Sequence, residues 1–157
     1  MIPINLIISG FLSYRNPVEI DFTSIDLACI AGQNGAGKSS ILDAITWSLF
    51  GQARKRDDSI INLQSDTAEV SFTFMYEKNR YRVIRTNPRG KTTQLEFQIA
   101  AAGKPSTQIG DDWKTLSERT LRGTQDRIQE TANAFWQASW VLKCGRLTAR
   151  MLQKTEN

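Results

Sequence analysis

Two hydrophobic periods divide the chain. From Glu69 onward apolar residues alternate with polar ones: Val70, Phe72, Phe74 and Tyr76 fall on one side of the pattern, which is the two-residue period of a half-buried strand. Glu77 to Asn79 form a turn, Arg80 to Arg85 run back, Asn87-Pro88-Arg89-Gly90 turn again, and Leu95, Phe97 and Ile99 alternate in a third strand. The pattern predicts an antiparallel meander. Near the N-terminus, Ile2 to Ser9 and Val18 to Phe22 predict two further strands, the second alternating Val18, Ile20 and Phe22 with Glu19 and Asp21. Between these blocks the period changes. Ile41, Leu42, Ile45 and Leu49 recur at helical spacing and Gly51 supplies a stop, so a helix ending near Phe50 is expected. Just before it, Leu27 to Ala31 is the short apolar run of a strand buried on both faces.

The rest is less regular. Gln52 to Asp66 is polar, and its Arg54-Lys55-Arg56 triplet is followed at once by Asp57-Asp58, acids as able to neutralise it as a phosphate backbone would be. Gly103 to Gly110 reads as a loop. Asp111 to Thr131, with Trp113, Leu116, Leu121 and Ile128 as apolar anchors, predicts one or two exposed helices broken near Gly123. Phe135, Trp136, Trp140, Val141 and Leu142 predict a helix or strand returning to the core, and Lys143 to Asn157 has no pattern.

Between the apolar run and the helix lies Gly32 to Ser40, Gly-Gln-Asn-Gly-Ala-Gly-Lys-Ser-Ser, which matches the phosphate-binding loop G-x-x-x-x-G-K-[ST] at Gly32, Gly37, Lys38 and Ser39. A polyphosphate carries several charges, so backbone N–H groups must converge on it, and glycines permit that close wrapping. Lys38 then lies over the β- and γ-phosphates, the Ser39 hydroxyl is placed for Mg²⁺, and the N–H groups of Ser39 and Ser40 open a helix whose positive end faces the anion. Strand, loop and helix come in the order the motif requires, which separates it from an accidental glycine-rich turn.

Composition changes the picture little. The 157 residues are 40% hydrophobic and 23% charged, ordinary for one globular domain. Pro3 and Asn5 interrupt the apolar N-terminus and no basic segment precedes it, so neither a signal peptide nor a membrane span is expected. Two distant cysteines, Cys29 and Cys144, suggest reduced thiols in the cytoplasm, and with no histidine a protein-built zinc site is not expected. The net charge of +4 matters less than its distribution, because Lys78, Arg80, Arg82, Arg85, Arg89 and Lys91 share one stretch without an acid. A solvated sheet face and a nucleic-acid surface explain that stretch equally well.

Gly32 to Gly51 closely resembles the phosphate-loop helix of the SbcC-type ATPases, the ATPase subunits of bacterial SbcCD nucleases within the SMC-like branch of ATP-binding-cassette proteins. Gly10 to Phe22, Tyr81 to Arg85 and Arg89 to Lys91 resemble flanking segments of the same family. The resemblance covers Met1 to Leu142, leaving 143–157 as a divergent tail. It implies an α/β fold, a P-loop NTPase half-head with a mixed sheet around the Walker A helix, an antiparallel β-meander and C-terminal helices. It implies ATP and Mg²⁺ as ligands held by Asn34, Gly35, Ala36, Gly37, Lys38, Ser39 and Ser40, with Ser39 on the metal and Arg15 approaching the nucleotide. Without the resemblance, Tyr14 as packing and Arg15 as a solvated cation explain the turn as well as a role at the nucleotide does. The implied partners are a C-terminal lobe of the same head, a second head, an SbcD-like nuclease and DNA, with Arg80, Arg82, Arg85, Arg89 and Lys91 as candidate DNA contacts.

The chain departs from the family in two places. Lys143 and Cys144 stand where the magnesium-sensing glutamine belongs, and neither Gln137 nor Gln153 has the right neighbours. Moreover, no apolar run ends in Asp-Asp or Asp-Glu, no Leu-Ser-Gly-Gly-type signature occurs, and no heptad repeat is present. The expectation is a lobe that binds ATP·Mg²⁺ weakly and does not turn it over alone. Two alternatives remain beside it: a stand-alone kinase or GTPase, for which no Asn/Thr-Lys-x-Asp motif is found, and a DNA-binding module without ATPase activity.

Overall fold

The computed structural model describes residues 1–25, 30–55, 57–76, 78–100 and 113–116. Six strands, β1 (Ile2–Ser9), β2 (Val18–Asp21), β3 (Thr67–Tyr76), β4 (Asn79–Pro88), β5 (Gln94–Ala100) and β6 (Trp113–Thr115), form one sheet in the order β2-β1-β3-β4-β5-β6. Every neighbouring pair is antiparallel. The period-two pattern produces this directly, since pairing Phe72 with Val83 and Leu6, and Val83 with Phe97, brings the apolar residues of four strands to one face. Aromatic rings run across that face: Phe72 to Phe74 at 5.3 Å, Phe74 to Tyr81 at 5.8 Å and Tyr81 to Phe97 at 5.7 Å between centroids. Burying each such side chain contributes about 1.5–3 kcal/mol.

One helix, α1 (Lys38–Phe50), covers this face, and Gly51 ends it in the left-handed conformation, donating its N–H to the Trp47 carbonyl. The buried stripe differs from the expected one. Ser40, Asp43, Ala44, Trp47 and Ser48 face inward together with Leu49, whereas Ile41, Leu42 and Ile45 are only half-buried. Positions 40, 43, 44, 47 and 48 follow the i, i+3, i+4, i+7, i+8 rule, but three are polar, which hides the stripe from a hydrophobic count. Each polar group finds a partner: Ser48 donates to the Ile45 carbonyl at 2.9 Å, while Ser40 and Asp43 meet side chains from outside the helix. Trp47 packs on Phe11 with centroids 5.2 Å apart.

A tight reversal between β1 and β2 carries Phe11 to the core. Gly10 starts it at φ +59°, where an added Cβ would stand 2.0 Å from the Thr67 carbonyl oxygen. Leu12 donates its N–H to the Ile60 carbonyl at 2.7 Å, and the Asn62 side chain returns a hydrogen bond to the Leu12 carbonyl at 2.7 Å. Ile60 closes a short 3₁₀ helix, Asp57–Ile60, in the otherwise irregular connector after α1.

Two expectations need correction. Trp113 to Thr115 is a strand, not part of a helix. Pairing with β5 outweighs local preference there, helped by Trp113 stacking on Arg82, a Thr115 hydroxyl bond to Glu96 at 2.9 Å, and a Leu116 N–H bond to Phe97 at 2.9 Å. The buried strand before the loop lies outside the described residues at 26–29; Ile30 and Ala31 are exposed and in no strand, Ile30 by 44%. Among the described residues no strand pairs with them. The remaining expectations for 101–112 and 117–157 fall outside the described residues.

Candidate functional site: the phosphate loop

The loop reaches the start of α1 through three positive-φ glycines, Gly32, Gly35 and Gly37. Gly37, at φ +88°, is the N-cap and offers no side-chain cap to the free N–H groups of the first turn, which also contains no acidic residue. Ser40 donates its N–H to the Gly37 carbonyl at 2.9 Å, so the N–H groups of Lys38 and Ser39 and the positive end of the helix dipole are left to an incoming anion. Lys38 closes over the loop and donates from Nζ to the carbonyls of Gly32 and Gln33, both at 2.6 Å. An ammonium has three donors, so the amine is held above the loop with one to spare. Ser39 is exposed and Ser40 buried. An exposed hydroxyl beside the amine and unclaimed N–H groups fits a Mg²⁺-bound triphosphate, with Ser39 as metal ligand and Lys38 on the terminal phosphates.

Behind the loop stands a wall formed by the β1–β2 reversal. A Cβ on Gly37 would lie 3.2 Å from the Ser13 Cβ and 3.3 Å from the Tyr14 ring. Tyr14 donates its hydroxyl to the Gly37 carbonyl at 3.4 Å, and burial raises its pKa above the ordinary phenol value. The Ser13 and Ser40 hydroxyls are 3.2 Å apart. The opening segment and the phosphate loop, separate in sequence, are therefore in contact. Arg15 is exposed next to this wall, and its carbonyl accepts the Gly10 N–H at 3.1 Å.

A third segment joins them. Arg54 forms an ion pair through Nε with Asp43 of α1, donates its backbone N–H to the other carboxylate oxygen of Asp43 at 3.3 Å, and reaches the Ser40 hydroxyl from Nη2 at 3.4 Å. The partner of Arg54 is thus Asp43 and not the adjacent Asp57-Asp58; Asp58 instead accepts the Gly90 N–H at 3.0 Å. Sequence reasoning passed over Ser13, Asp43 and Arg54. An acid three residues after a buried serine, inside a mostly apolar helix, was the available signal.

The five candidate DNA contacts do not share one surface. Arg85 points to the core side, donates to the Ser48 carbonyl at 3.2 Å and lies 5.8 Å from the Trp47 ring; burial lowers its pKa. Arg89, in the β4–β5 turn, donates to the carbonyls of Asn62 and Ser65. Arg80 and Arg82 lie on the opposite sheet face, where Arg82 stacks on Trp113 at 4.1 Å. Burial first, and then Arg80, lowers the Arg82 pKa, partly offset by Glu96. By strand register Glu19, Asp21, Glu69 and Glu96 share that face, so it is not uniformly basic. Lys91 is exposed.

A family profile described as an AAA domain matches residues 5–143. Curated relatives include the SbcC component of the SbcCD nuclease of Deinococcus radiodurans, 36% identical over 134 residues, 83% of this chain and 14% of the relative. The same component of the Bacillus subtilis SbcCD nuclease is 41% identical over 136 residues, 83% of this chain and 12% of the relative. A probable DNA double-strand break repair Rad50 ATPase of Aquifex aeolicus is 36% identical over 54% of this chain and 9% of its own length. The chain thus spans about an eighth of the length of these relatives. Among solved structures, the SMC head domain from Thermotoga maritima matches 81% of this chain and 42% of its own with a TM-score of 0.56 at 24% identity, a likeness of fold.

Proposed function

Because the chain belongs to the AAA-domain family, we propose that it is the ATP-binding N-terminal lobe of an SbcC-type DNA-repair ATPase. The observation that carries this reading is the loop itself: a left-handed glycine cap, an acid-free first turn, and the Lys38 amine drawn over the Gly32 and Gln33 carbonyls. In this reading the loop from Asn34 to Ser40 holds the phosphates through the N–H groups not engaged within it, since Ala36 and Ser40 donate to the Gln33 and Gly37 carbonyls; Lys38 neutralises the terminal phosphates, Ser39 holds Mg²⁺, and Arg15 lies toward the nucleotide. Bound Mg²⁺ supplies charge neutralisation on the phosphate oxygens. Hydrolysis also needs acids to hold the metal and a residue to orient water. The sequence has no apolar run ending in Asp-Asp or Asp-Glu, so turnover is assigned to a head completed by a C-terminal lobe and a second copy.

The partners follow from the same reading: an SbcD-like nuclease and DNA, in the cytoplasm. No helix among the described residues is long and apolar enough to cross a membrane. Of the basic residues, Arg80, Arg82, Arg89 and Lys91 remain for a phosphate backbone, because Arg85 alone is turned to the core side, where it holds the Ser48 carbonyl; Arg89 is exposed and spends only Nη2 on its own chain. Calorimetric titration of the chain with ATP and Mg²⁺ tests the proposal. Weak binding abolished by Lys38→Ala, with negligible phosphate release, is expected. Absence of binding by the folded chain, or full affinity in Lys38→Ala, refutes the nucleotide site, and robust turnover by the chain alone refutes its incompleteness.

A further inference from the structure

Ser40 is buried on the inner side of the first helical turn, and its hydroxyl lies within hydrogen-bond reach of two side chains, Ser13 and Arg54. A guanidinium can only donate, so Arg54 occupies a lone pair of the Ser40 oxygen; the single hydroxyl proton is then directed away from Arg54. It goes to Ser13 or to an oxygen seated on the first turn. Arg54 is in turn fixed by Asp43, which accepts from both its side chain and its backbone N–H. Asp43 sits one turn after Ser40 on the same face of α1. The Asp43 side chain is 11% exposed and that of Arg54 is 51% exposed. The carboxylate is therefore largely shielded while the guanidinium head remains partly in water, as suits a clasp closing from the connector onto the helix.

We propose that Arg54, held by Asp43, is a positioning residue for the nucleotide site, orienting the Ser40 hydroxyl as a donor toward the bound phosphates. The inference rests on the ATP-binding reading and adds to it a residue from outside the loop motif. Arg54 need not touch the nucleotide; its influence passes through one oxygen atom. It also joins the connector after α1 to the occupied loop, since the backbone of Arg54 is held by the same carboxylate.

The test is a set of calorimetric titrations of the full chain with ATP and Mg²⁺, comparing wild type, Arg54→Gln, Ser40→Ala and the double variant, each with its fold checked by circular dichroism. Arg54→Gln should weaken binding by about fivefold, the worth of one ordinary hydrogen bond. It should cause no further loss on Ser40→Ala, the signature of two residues acting through one contact. Should the stranded Asp43 carboxylate prevent folding of Arg54→Gln, the pair Asp43→Asn with Arg54→Gln removes both charges and carries the same comparison. A purely structural clasp lowers the melting temperature and leaves the affinity of the folded protein unchanged; that outcome overturns the proposal. An undiminished fivefold loss on the Ser40→Ala background overturns it too. If wild type binds no ATP the functional reading falls and takes this inference with it; if Lys38→Ala abolishes binding while Arg54→Gln leaves it intact, only the inference falls.

Discussion

Three glycines provide a graded test of how the fold supports the loop. Gly35, Gly37 and Gly10 have φ of +85°, +88° and +59°, so alanine at any of them adopts a left-handed backbone. That costs about 1–2 kcal/mol, offset by roughly 0.4–1 kcal/mol because alanine also restricts the unfolded chain. The surroundings differ. Nothing lies within 4 Å of a Cβ at Gly35; at Gly37 the Cβ meets Ser13 at 3.2 Å and the Tyr14 ring at 3.3 Å; at Gly10 it meets the Thr67 carbonyl oxygen at 2.0 Å. Side chains can yield by a few tenths of an ångström at a cost of about 1 kcal/mol, the low end for overpacking. The Thr67 carbonyl belongs to the backbone of β3, where Thr67 stands opposite Pro88 of β4, and it cannot yield without moving the strand, so about 3 kcal/mol or more is expected there. The predicted destabilisations are therefore about 1 kcal/mol for Gly35→Ala, about 2 for Gly37→Ala and above about 3 for Gly10→Ala. Urea unfolding followed by far-ultraviolet circular dichroism, with slopes equal across the series, reads these values directly. If Gly10→Ala costs no more than Gly35→Ala, the close contact of the reversal with β3 is wrong, and the wall behind the phosphate loop is wrong with it.

Other consequences follow from single contacts. Arg85→Leu removes the hydrogen bond to Ser48 and the guanidinium beside Trp47; it should lower stability by about 1–2 kcal/mol in the same urea assay and leave DNA affinity unchanged in an anisotropy titration. Asp21 accepts the Thr23 N–H at 2.8 Å, which lowers its pKa below 3.8. Its folded pKa being the lower one, its contribution is present above pH 3.8 and fades as pH falls through the folded value, so Asp21→Asn should flatten the acid side of the stability curve measured between about pH 5 and pH 2. If Arg80, Arg82, Arg89 and Lys91 contact a DNA backbone, their joint replacement by glutamine should reduce the salt slope of duplex binding by about 0.9 log units per lost phosphate contact. An unchanged slope marks them as solvated.

The outer strands of the meander were legible because they keep a period of two through Val70, Phe72, Phe74 and Phe97; in the strand between them the basic residues hid Tyr81 and Val83, which lie in the same core. The phosphate loop was legible because its residues are chosen for backbone chemistry that tolerates little substitution. What escaped notice was polar and buried. Ser40, Asp43 and Ser48 occupy the inner stripe of α1 and are satisfied by partners distant in sequence or by the helix's own carbonyls, so a hydrophobic count assigned that stripe to Ile41, Leu42 and Ile45. Likewise Arg85 looked like a surface cation because charge alone does not tell which side of a strand is covered. Its odd-numbered place beside Val83 in β4 puts it inward, and Gly51 leaves room for its head. Trp113 escaped for a different reason: its strand depends on β5, not on its neighbours in sequence.

The placement of exposed apolar residues bears on reading the chain as one lobe of a larger head. Single exposed aliphatic residues are ordinary on any protein, and Leu63, alone in its turn, is of that kind. Val18 is different, because it opens β2. Among the described residues β2 pairs on one side only, and an edge strand with apolar neighbours is a surface that proteins usually cover or charge. At the other margin the sheet is finished differently: β6 is three residues long, its Trp113 covered by a guanidinium and its Thr115 tied to Glu96. The β2 margin is joined to β1 through the reversal whose Ser13 and Tyr14 contact Ser40 and Gly37. If the C-terminal lobe of the proposed function docks on that margin, it adds strands where backbone groups are available and brings acids to the phosphates, so that closing the sheet and completing the proposed site become one event.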